Sequence, residues 1–271
     1  MTTLCNTFKR LALNTWDIIN ESRQVNFQLK EETLTDLNML AIKKRHSGQV
    51  RTKVYNKNEE GVNGADWEWW FNHSEKWIGY RVQAKIINNK SNEFEHLHYK
   101  GKKAVAYQCD TLIHNALSTS PPKIPLYTLF LSTGDKFLLK TWFCNTFKLD
   151  RKFWGCSLIN AFDVYKLSSS KIKHLRHLDK LIRPWHCLVC CSGYKGNDKI
   201  QKMENYAKAN FPLDSNIVKE LNIDIPESFI TKNPPSYVVS LFKNEDTEIQ
   251  PPDENLGGIL IISLESNNDI D

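Results

Sequence analysis

The stretch that decides the fold covers residues 64–85 and reads GADWEWWFNHSEKWIGYRVQAK. Residues 65–71 and 79–87 are rich in aromatic and β-branched side chains, which is typical of β-strands. The polar residues His73, Ser74 and Glu75 between them indicate a turn. We therefore predict that the two segments pair as a hairpin.

This hairpin is expected to carry several polar side chains on one face. Alternate side chains of a strand share a face, so Asp66 and Glu68 should point the same way, as should Gln83 and Lys85. Asp66 would then lie roughly across from Lys85, and Glu32 could reach the same patch from the preceding helix. Carboxylate and amide oxygens hold Mg²⁺, which lowers the pKa of a bound water, while a lysine stabilises developing negative charge. These residues therefore predict metal-assisted hydrolysis of a phosphodiester.

The rest of the chain predicts an α/β protein. Apolar periodicity indicates helices over residues 4–19, 30–44, 105–117, 171–182 and 199–209. Strands are indicated over residues 49–55, 124–131, 187–191, 237–242 and 259–264, and residues 154–167 are expected to be partly extended. Neither a linker rich in Gly and Ser nor a repeat divides the 271 residues, so we predict a single domain over residues 1–271.

The order of these elements, together with their polar residues, resembles a known superfamily. A helix, three strands, a helix and a strand, with Asp66 on the second strand and Gln-Ala-Lys on the third, are similar to the PD-(D/E)xK nucleases. Within them the pattern resembles the branch of Mrr-type restriction enzymes and archaeal Holliday-junction resolvases. The strings EETLTD at residues 31–36, GADWEWW at 64–70 and QAK at 83–85 also resemble a group of uncharacterised bacterial proteins. The resemblance covers about residues 28–132.

The resemblance implies a restriction-endonuclease-like core, in which a helix, a three-stranded antiparallel meander, a helix and a strand build a mixed central sheet. Residues 133–271 would form a C-terminal α/β extension packed on that core. By position, Asp66, Gln83, Lys85 and Glu32 would be the catalytic residues. Of these, Glu32, Asp66 and Gln83 would hold Mg²⁺, or Mn²⁺ in its place.

The sequence departs from the superfamily pattern at two positions. Ala65 stands where a proline often precedes the aspartate, and Gln83 stands where an acid is usual. An amide oxygen still coordinates a hard cation but lacks the charge of a carboxylate. Glu68 or Glu60 could supply that charge. Gln108, near the start of the next helix, is either a further polar residue of the site or a residue that is simply exposed.

Charge is distributed unevenly along the chain, which has a net charge of +5. Residues 244–271 contain eight acids and no Lys or Arg, so the preceding part carries all 36 basic residues against 23 acids. A basic body attracts nucleic acid, with DNA favoured here over RNA, although charge runs are more often solvated surfaces. The candidate nucleic-acid contacts are Lys43, Lys44, Arg45, Trp70, Lys173 and Arg176. For Trp70, packing in the core is the favoured alternative to stacking on a base.

The cysteines and the apolar runs bear on the cell compartment. Seven cysteines, an odd number, in a chain without a recognisable secretory signal predict reduced thiols. His174, His177, Cys187 and Cys190 have the spacing of zinc ligands, but residues 187–191 also resemble a buried strand, so we expect no zinc. No apolar run approaches the ~18 residues that span a membrane. The expected location is the cytoplasm.

Three hypotheses of function follow from these observations. The first is a Mg²⁺-dependent DNA endonuclease in restriction or anti-phage defence, with a homodimer as an option because many such enzymes dimerise. The second is a catalytically inactive nucleic-acid-binding module on a nuclease fold, with Gln83 as the degenerate position. The third is an interaction or regulatory protein whose basic segment 171–183 binds an acidic partner or its own acidic tail. No Walker, GxGxxG or GxSxG motif occurs in the chain.

Overall fold

The computed structural model describes residues 3–55, 66–101, 106–134, 150–190, 193–245 and 256–265. Its helices are α1 (Leu4–Gln24), α2 (Glu31–Arg45), α3 (Gln108–Leu117), α4 (Ala161–Ser168), α5 (His186–Cys190), α6 (Lys199–Asn210), α7 (Ser215–Glu220) and α8 (Ser236–Lys243). Its strands are β1 (Val50–Val54), β2 (Asp66–His73), β3 (Lys76–Ile86), β4 (Ile124–Phe130), β5 (Cys156–Asn160), β6 (Arg183–Pro184), β7 (Ile230–Thr231) and β8 (Leu256–Ser263). The predicted α/β class is confirmed. Among the described helices, none is long and apolar enough to cross a membrane.

These eight strands form one mixed sheet. Their order is β1-β8-β2-β3-β4-β5-β6, and β7 pairs with the start of β3. Strand β8 is antiparallel to β1 and parallel to β2. The predicted three-stranded meander is therefore wrong, because β8, from the end of the chain, separates β1 from β2. Strands from beyond residue 133 thus belong to the same sheet as those before it.

The composition of β8 explains its central position. Its sequence LGGILIIS is apolar almost throughout, and residues 256–262 are all buried, as expected of a strand that is covered on both faces. Gly258 permits a close approach to both neighbouring strands. A Cβ atom at this position would lie 2.8 Å from ring atoms of Trp67 and 2.9 Å from the backbone oxygen of Lys53.

Strands β2 and β3 form the predicted hairpin. Its register pairs Asp66 with Gln83 and Glu68 with Arg81. Asp66 therefore lies two positions from Lys85 along the strand pair, close to the position predicted for it. Because residues directly opposite each other in antiparallel strands share a face, Glu68, Arg81, Gln83 and Lys85 lie on one side of the hairpin.

The other side of the hairpin packs into the main core. Trp67, Trp69 and Phe71 are buried there, as predicted. Helix α1 covers this side through Phe8, whose ring centroid lies 4.7 Å from that of Trp185. Trp185 in turn contacts Trp69 at a centroid distance of 6.2 Å, and its indole N–H donates to the backbone oxygen of Phe8 at 2.7 Å. The core thereby joins α1 and the hairpin to Trp185, the residue before α5.

A disulfide connects the two sides of this core. It joins Cys5 of α1 to Cys190 of α5, across 185 residues of sequence. The prediction of reduced thiols is wrong for this pair, because only the tertiary fold brings the two positions together. Cys109, Cys156 and Cys187 are not part of a disulfide. Since Cys190 is bonded to sulfur, it is not a thiolate ligand for zinc.

Two segments predicted as strands are helical. Residues 187–190 lie in α5, and residues 237–242 lie in α8. The β-branched and aromatic composition of the second segment favours a strand, but its flanking residues favour a helix. Pro235 occupies the N-cap of α8, and Asn244, with φ 55°, ends the helix in the left-handed conformation that typically terminates helices.

The predicted helix over residues 171–182 is also absent, since this segment contains only a 3₁₀ turn at Leu175–His177. Its backbone groups form short turns within the segment, and others bond to the loop after β3. The N–H of Phe94 donates to the oxygen of Lys173 at 3.0 Å, and the N–H of Leu175 donates to the oxygen of Asn92 at 3.1 Å. The basic segment is therefore fastened to that loop.

Candidate active site

The end of β3 and the first turn of α2 meet at an ion pair. Lys85, near the end of β3, is 1% exposed, and its Nζ lies 3.7 Å from Oε1 of Glu31, the first residue of α2. Glu31 and Glu32 occupy the first turn of α2, where the helix dipole favours negative charge. A buried ammonium therefore faces an acidic helix start.

This ion pair borders a pocket of about 490 Å³. The lining combines acidic, basic and hydrogen-bonding groups and comes from the α1–α2 connection, the start of α2, the end of β3 and the loop that follows β3. The lining residues are Gln28, Leu29, Lys30, Glu31, Glu32, Lys85, Ile86, Asn88, Glu95, His96 and Tyr99. A pocket of this size and polarity can hold a charged ligand.

The loop after β3, which forms one wall of the pocket, is held in place by hydrogen bonds. The side chain of Gln28 donates to the backbone oxygen of Ile87 at 3.2 Å and accepts from the N–H of Asn89 at 3.0 Å. Phe94 and Leu97 of the same loop are fully buried. The wall is therefore anchored both to the α1–α2 connection and to the core.

Burial dominates the electrostatics of Glu31. Desolvation raises the pKa of its carboxyl above the usual value, and the nearby charge of Glu32 raises it further. Lys85 and His96 act in the opposite direction. The net effect is a rise, so Lys85 does not fully compensate the cost of keeping this carboxylate ionised. An additional cation at the pocket would lower that cost.

Gln83 is the second unusual group near the end of the hairpin. It is completely buried, and its Oε1 accepts no hydrogen bond from the residues that the structure describes. Its Nε2 makes a long contact of 3.5 Å with the backbone oxygen of Ala84. Gln83 pairs in register with Asp66 on β2 and with Tyr127 on β4. Buried acceptors usually have a donor, so this oxygen is a candidate to bind a ligand or a water.

The donor chemistry at this end of the sheet fits a hard divalent cation. Glu31 offers a carboxylate and Gln83 an amide oxygen, and both are ligand types that Mg²⁺ and Mn²⁺ accept. Asp66 is the register partner of Gln83, although its side chain lies outside the described part of the structure. Among the described side chains, no three His, Cys, Asp or Glu groups are placed to hold a metal ion together.

The pocket contains residues that the sequence did not single out. Glu31, and not the predicted Glu32, contacts Lys85, although both glutamates line the pocket. Successive helix residues point about 100° apart, so two adjacent glutamates cannot be distinguished without knowing how the helix docks. Glu95, His96 and Tyr99 lie in an irregular loop, where no periodic pattern marks them.

Glu68, predicted as a supporting residue, lies in a separate buried network. Its Oε1 accepts from Arg81 at 3.2 Å and contacts Lys123 at 3.3 Å. Its Oε2 accepts from the indole N–H of Trp70 at 3.0 Å and from the hydroxyl of Tyr237 at 2.7 Å. Burial and the charge of Glu68 raise the pKa of Tyr237, so this phenol stays a donor. Glu68 is therefore engaged in holding α8 and the sheet together.

The remaining candidates have different outcomes. Trp70 has no exposed surface, so the prediction that it stacks on a base is wrong and the core alternative holds. Glu60 lies outside the described residues. Gln108 is half-buried as the first residue of α3, and its backbone N–H donates to the oxygen of Tyr99 at 2.9 Å. This bond places the start of α3 beside the pocket loop.

The candidate nucleic-acid contacts fall into two groups. Lys43, Lys44 and Arg45 are exposed at the C-terminal end of α2, and the 15 residues of this helix put them about 20 Å from Glu31. Lys173 and Arg176 belong to the segment bonded to the pocket loop. Lys173 pairs with Glu93 at 3.1 Å, and Arg176 is exposed. The second group therefore belongs to a segment that contacts the pocket loop, and neither of its residues lines the pocket itself.

Comparison of the sequence with known proteins identifies one family. A family profile described as a family of unknown function (DUF6615) matches residues 4–268. Neither a curated protein nor a solved structure shows significant similarity to the chain. Since the match covers both the pocket and every described strand, the chain belongs to the DUF6615 family.

Proposed function

We propose that this protein is a metal-dependent nuclease that hydrolyses phosphodiester bonds of nucleic acid, most simply a DNA endonuclease. The observation that carries the proposal is the buried Lys85 ammonium, which faces the Glu31 carboxylate at the border of a pocket. Two residues before Lys85 is Gln83, whose amide oxygen accepts no hydrogen bond from the described residues. The sequence resemblance to PD-(D/E)xK nucleases assigns the same β3 positions. That resemblance alone supports a role in restriction or anti-phage defence.

Each residue has a defined role in this proposal. Glu31, Asp66 and Gln83 would hold a Mg²⁺ or Mn²⁺ ion, with Glu32 as a further carboxylate at the same pocket. The bound ion would supply a water of lowered pKa and would neutralise charge on the phosphate. Lys85 orients the attacking water and stabilises the negative charge that develops on phosphorus oxygens. Glu31 keeps the Lys85 side chain in place for this role.

In this proposal the basic groups of the pocket contact a polyanionic substrate, and the bound cation would offset the charge of Glu31, Glu32 and Glu95. Lys30 and His96 line the pocket together with Lys85. Arg176 is exposed in the segment bonded to the pocket loop and adds positive charge there, whereas Lys173 is paired with Glu93. Basic side chains of this kind bind the phosphate backbone through electrostatic attraction that weakens with salt.

A cleavage assay tests the proposal. Wild type, Asp66→Ala, Lys85→Ala and the control Lys219→Ala, an exposed residue on α7, are incubated with double- and single-stranded DNA and RNA, with Mg²⁺, Mn²⁺ or EDTA. We expect metal-dependent cleavage by wild type and control and a loss of at least about 100-fold in the two site variants. Circular dichroism establishes that all four proteins are folded.

The same assay separates the alternatives. Equal cleavage by all four proteins, or none by any of them with either metal, overturns the proposal. If cleavage is absent while DNA binding is salt-sensitive and indifferent to divalent ions, the protein is a binding module on a nuclease fold.

A further inference from the structure

A second, apolar groove lies between α2 and β1, away from the polar pocket. It has a volume of about 390 Å³, and its lining residues are Asp36, Leu37, Met39, Leu40, Lys43, Thr52, Val54 and Trp67. Leu37, Leu40 and Val54 are 49%, 63% and 60% exposed, and they are three of the seven large apolar side chains that the described part of the chain exposes. Exposed apolar side chains that line one groove are typical of a contact with another molecule.

The exposed face of α2 has the spacing of a helix–helix seam. Thr33, Leu37, Leu40 and Lys44 are all exposed and follow one another at intervals of four, three and four residues. This is the spacing at which two helices pack side by side. The buried face of α2 is separate from this seam. It consists of Leu34, Thr35, Asn38, Met39 and Ile42.

The charges beside the seam are arranged for self-association. Asp36 and Lys43 are seven residues apart, so they lie on the same flank of α2, about 10 Å from each other along the helix axis. They have opposite charge and lie on either side of the apolar pair. Suppose that a second α2 packs antiparallel, with Leu37 against Leu40 of the partner subunit. Measured along the helix axis, Asp36 and Lys43 of the partner subunit are then about 3 Å apart. The reciprocal pair forms at the other end.

The edge of the sheet favours the helix face over strand pairing. Strand β1 is at the edge among the described strands, next to β8 only. It carries Arg51 and Lys53, and charged side chains on an edge strand oppose the addition of another strand. Thr52 and Val54 instead line the groove beside α2.

We propose that α2 is the interface of a homodimer, in which two copies of this chain pack their α2 helices antiparallel and each groove receives Leu37 and Leu40 of the other copy. Such a contact is isologous, because Asp36 meets the partner's Lys43 and Lys43 meets the partner's Asp36. Glu31 lies outside the seam at the N-terminal end of α2, and the groove and the polar pocket have no lining residue in common. The dimer does not depend on the proposed nuclease activity.

A charge-swap experiment tests the interface. Molar mass is measured by light scattering and by analytical ultracentrifugation over a dilution series for wild type, Asp36→Lys, Lys43→Asp and Leu40→Glu. We expect wild type to be a dimer and each single charge variant to weaken the dimer by at least about tenfold, because like charges then face each other twice. Leu40→Glu should be monomeric, since it places a charge in the apolar seam.

An equimolar mixture of Asp36→Lys and Lys43→Asp is the decisive arm. Each chain of the mixed dimer carries the charge that the other lacks, so dimerisation should return to within about threefold of wild type. The altered positions are exposed, and thermal melting checks that every variant is folded. A monomeric wild type, single variants that dimerise like wild type, or a mixture that stays monomeric overturns the proposal.

Discussion

Two buried ion pairs on the same face of β3 differ in what surrounds them. Arg81 pairs with Glu68, and four residues later Lys85 pairs with Glu31, and both cations are 1% exposed. The carboxylate of Glu68 is contacted by four side chains, which lie on β2, on β3, on α8 and just before β4. They are Trp70, Arg81, Tyr237 and Lys123. The carboxylate of Glu31 has one ion pair of 3.7 Å and borders a pocket.

The comparison shows how one chemical motif serves two purposes. A buried charge is tolerated when hydrogen bonds and opposite charges replace its lost hydration, and the Glu68 network meets that condition. At the Glu31 pair the condition is not met, since the pKa of Glu31 is raised. Near it, the oxygen of Gln83 accepts no hydrogen bond in the part of the chain that the structure describes. A ligand can therefore bind beside the Glu31–Lys85 pair, whereas the enclosed Glu68 network has no room for one. Three substitutions test this distinction.

The largest effect is expected at Glu68. Glu68→Ala takes from Arg81 and Lys123 the carboxylate that they share, and removal of one partner from a buried ion pair costs about 3–5 kcal/mol of unfolding free energy. Urea denaturation measures the loss. Glu68→Gln, which keeps the shape and an acceptor, should lose less. A destabilisation by Glu68→Ala below about 1 kcal/mol would mean that the network does not stabilise the fold.

A smaller loss of stability is expected for a change at Tyr237, the residue of α8 that belongs to the Glu68 network. Tyr237→Phe removes one hydrogen bond of 2.7 Å to the Glu68 carboxylate while keeping the ring. A hydrogen bond to a charged group contributes about 1.5–3 kcal/mol. Thermal denaturation should therefore show a lower Tm than wild type but a higher one than Glu68→Ala. Tyr206→Phe, which alters a tyrosine on α6, is the matched control for the loss of a buried hydroxyl.

The smallest effect on stability is expected at Glu31, where the substitution should stabilise the protein and not destabilise it. A carboxyl whose pKa is raised by folding lowers stability as the pH rises above its unfolded value of 4.5. Glu31→Gln removes this penalty, so the stability of the variant relative to wild type should increase between pH 4.5 and pH 8. We expect a difference below about 1 kcal/mol at each pH. Urea denaturation of both proteins across this pH range measures the difference. A difference that becomes smaller as the pH rises would contradict the raised pKa of Glu31.

The local part of the fold could be predicted from the sequence. The hairpin at residues 66–86 follows from the alternation of its aromatic and polar residues, and the first helix follows from its periodicity. Strand β8 was recognised as a strand from its apolar run, but its place between β1 and β2 was not. Pairing of segments nearly 200 residues apart depends on which surfaces remain to be covered once the hairpin has formed. No local pattern contains that information.

The candidate site shows the same division. Gln83 and Lys85 were identified because strand alternation fixes which side chains share a face. Glu31 was not preferred over Glu32, because the rotation of a helix about its axis is set by packing. Glu68 was read as a supporting ligand, although Lys123 and Tyr237, which engage it, come from positions 55 and 169 residues later.

The amino-acid sequence by itself determined the elements with strong short-range patterns, their order from α2 to β4, and the polar face of the hairpin. Only the tertiary structure decided the strand order, the disulfide between Cys5 and Cys190, and which carboxylates are enclosed and which border the pocket. The physical reason is range: dihedral preferences and side-chain periodicity act over a few residues, whereas burial and charge compensation depend on every group that packs nearby.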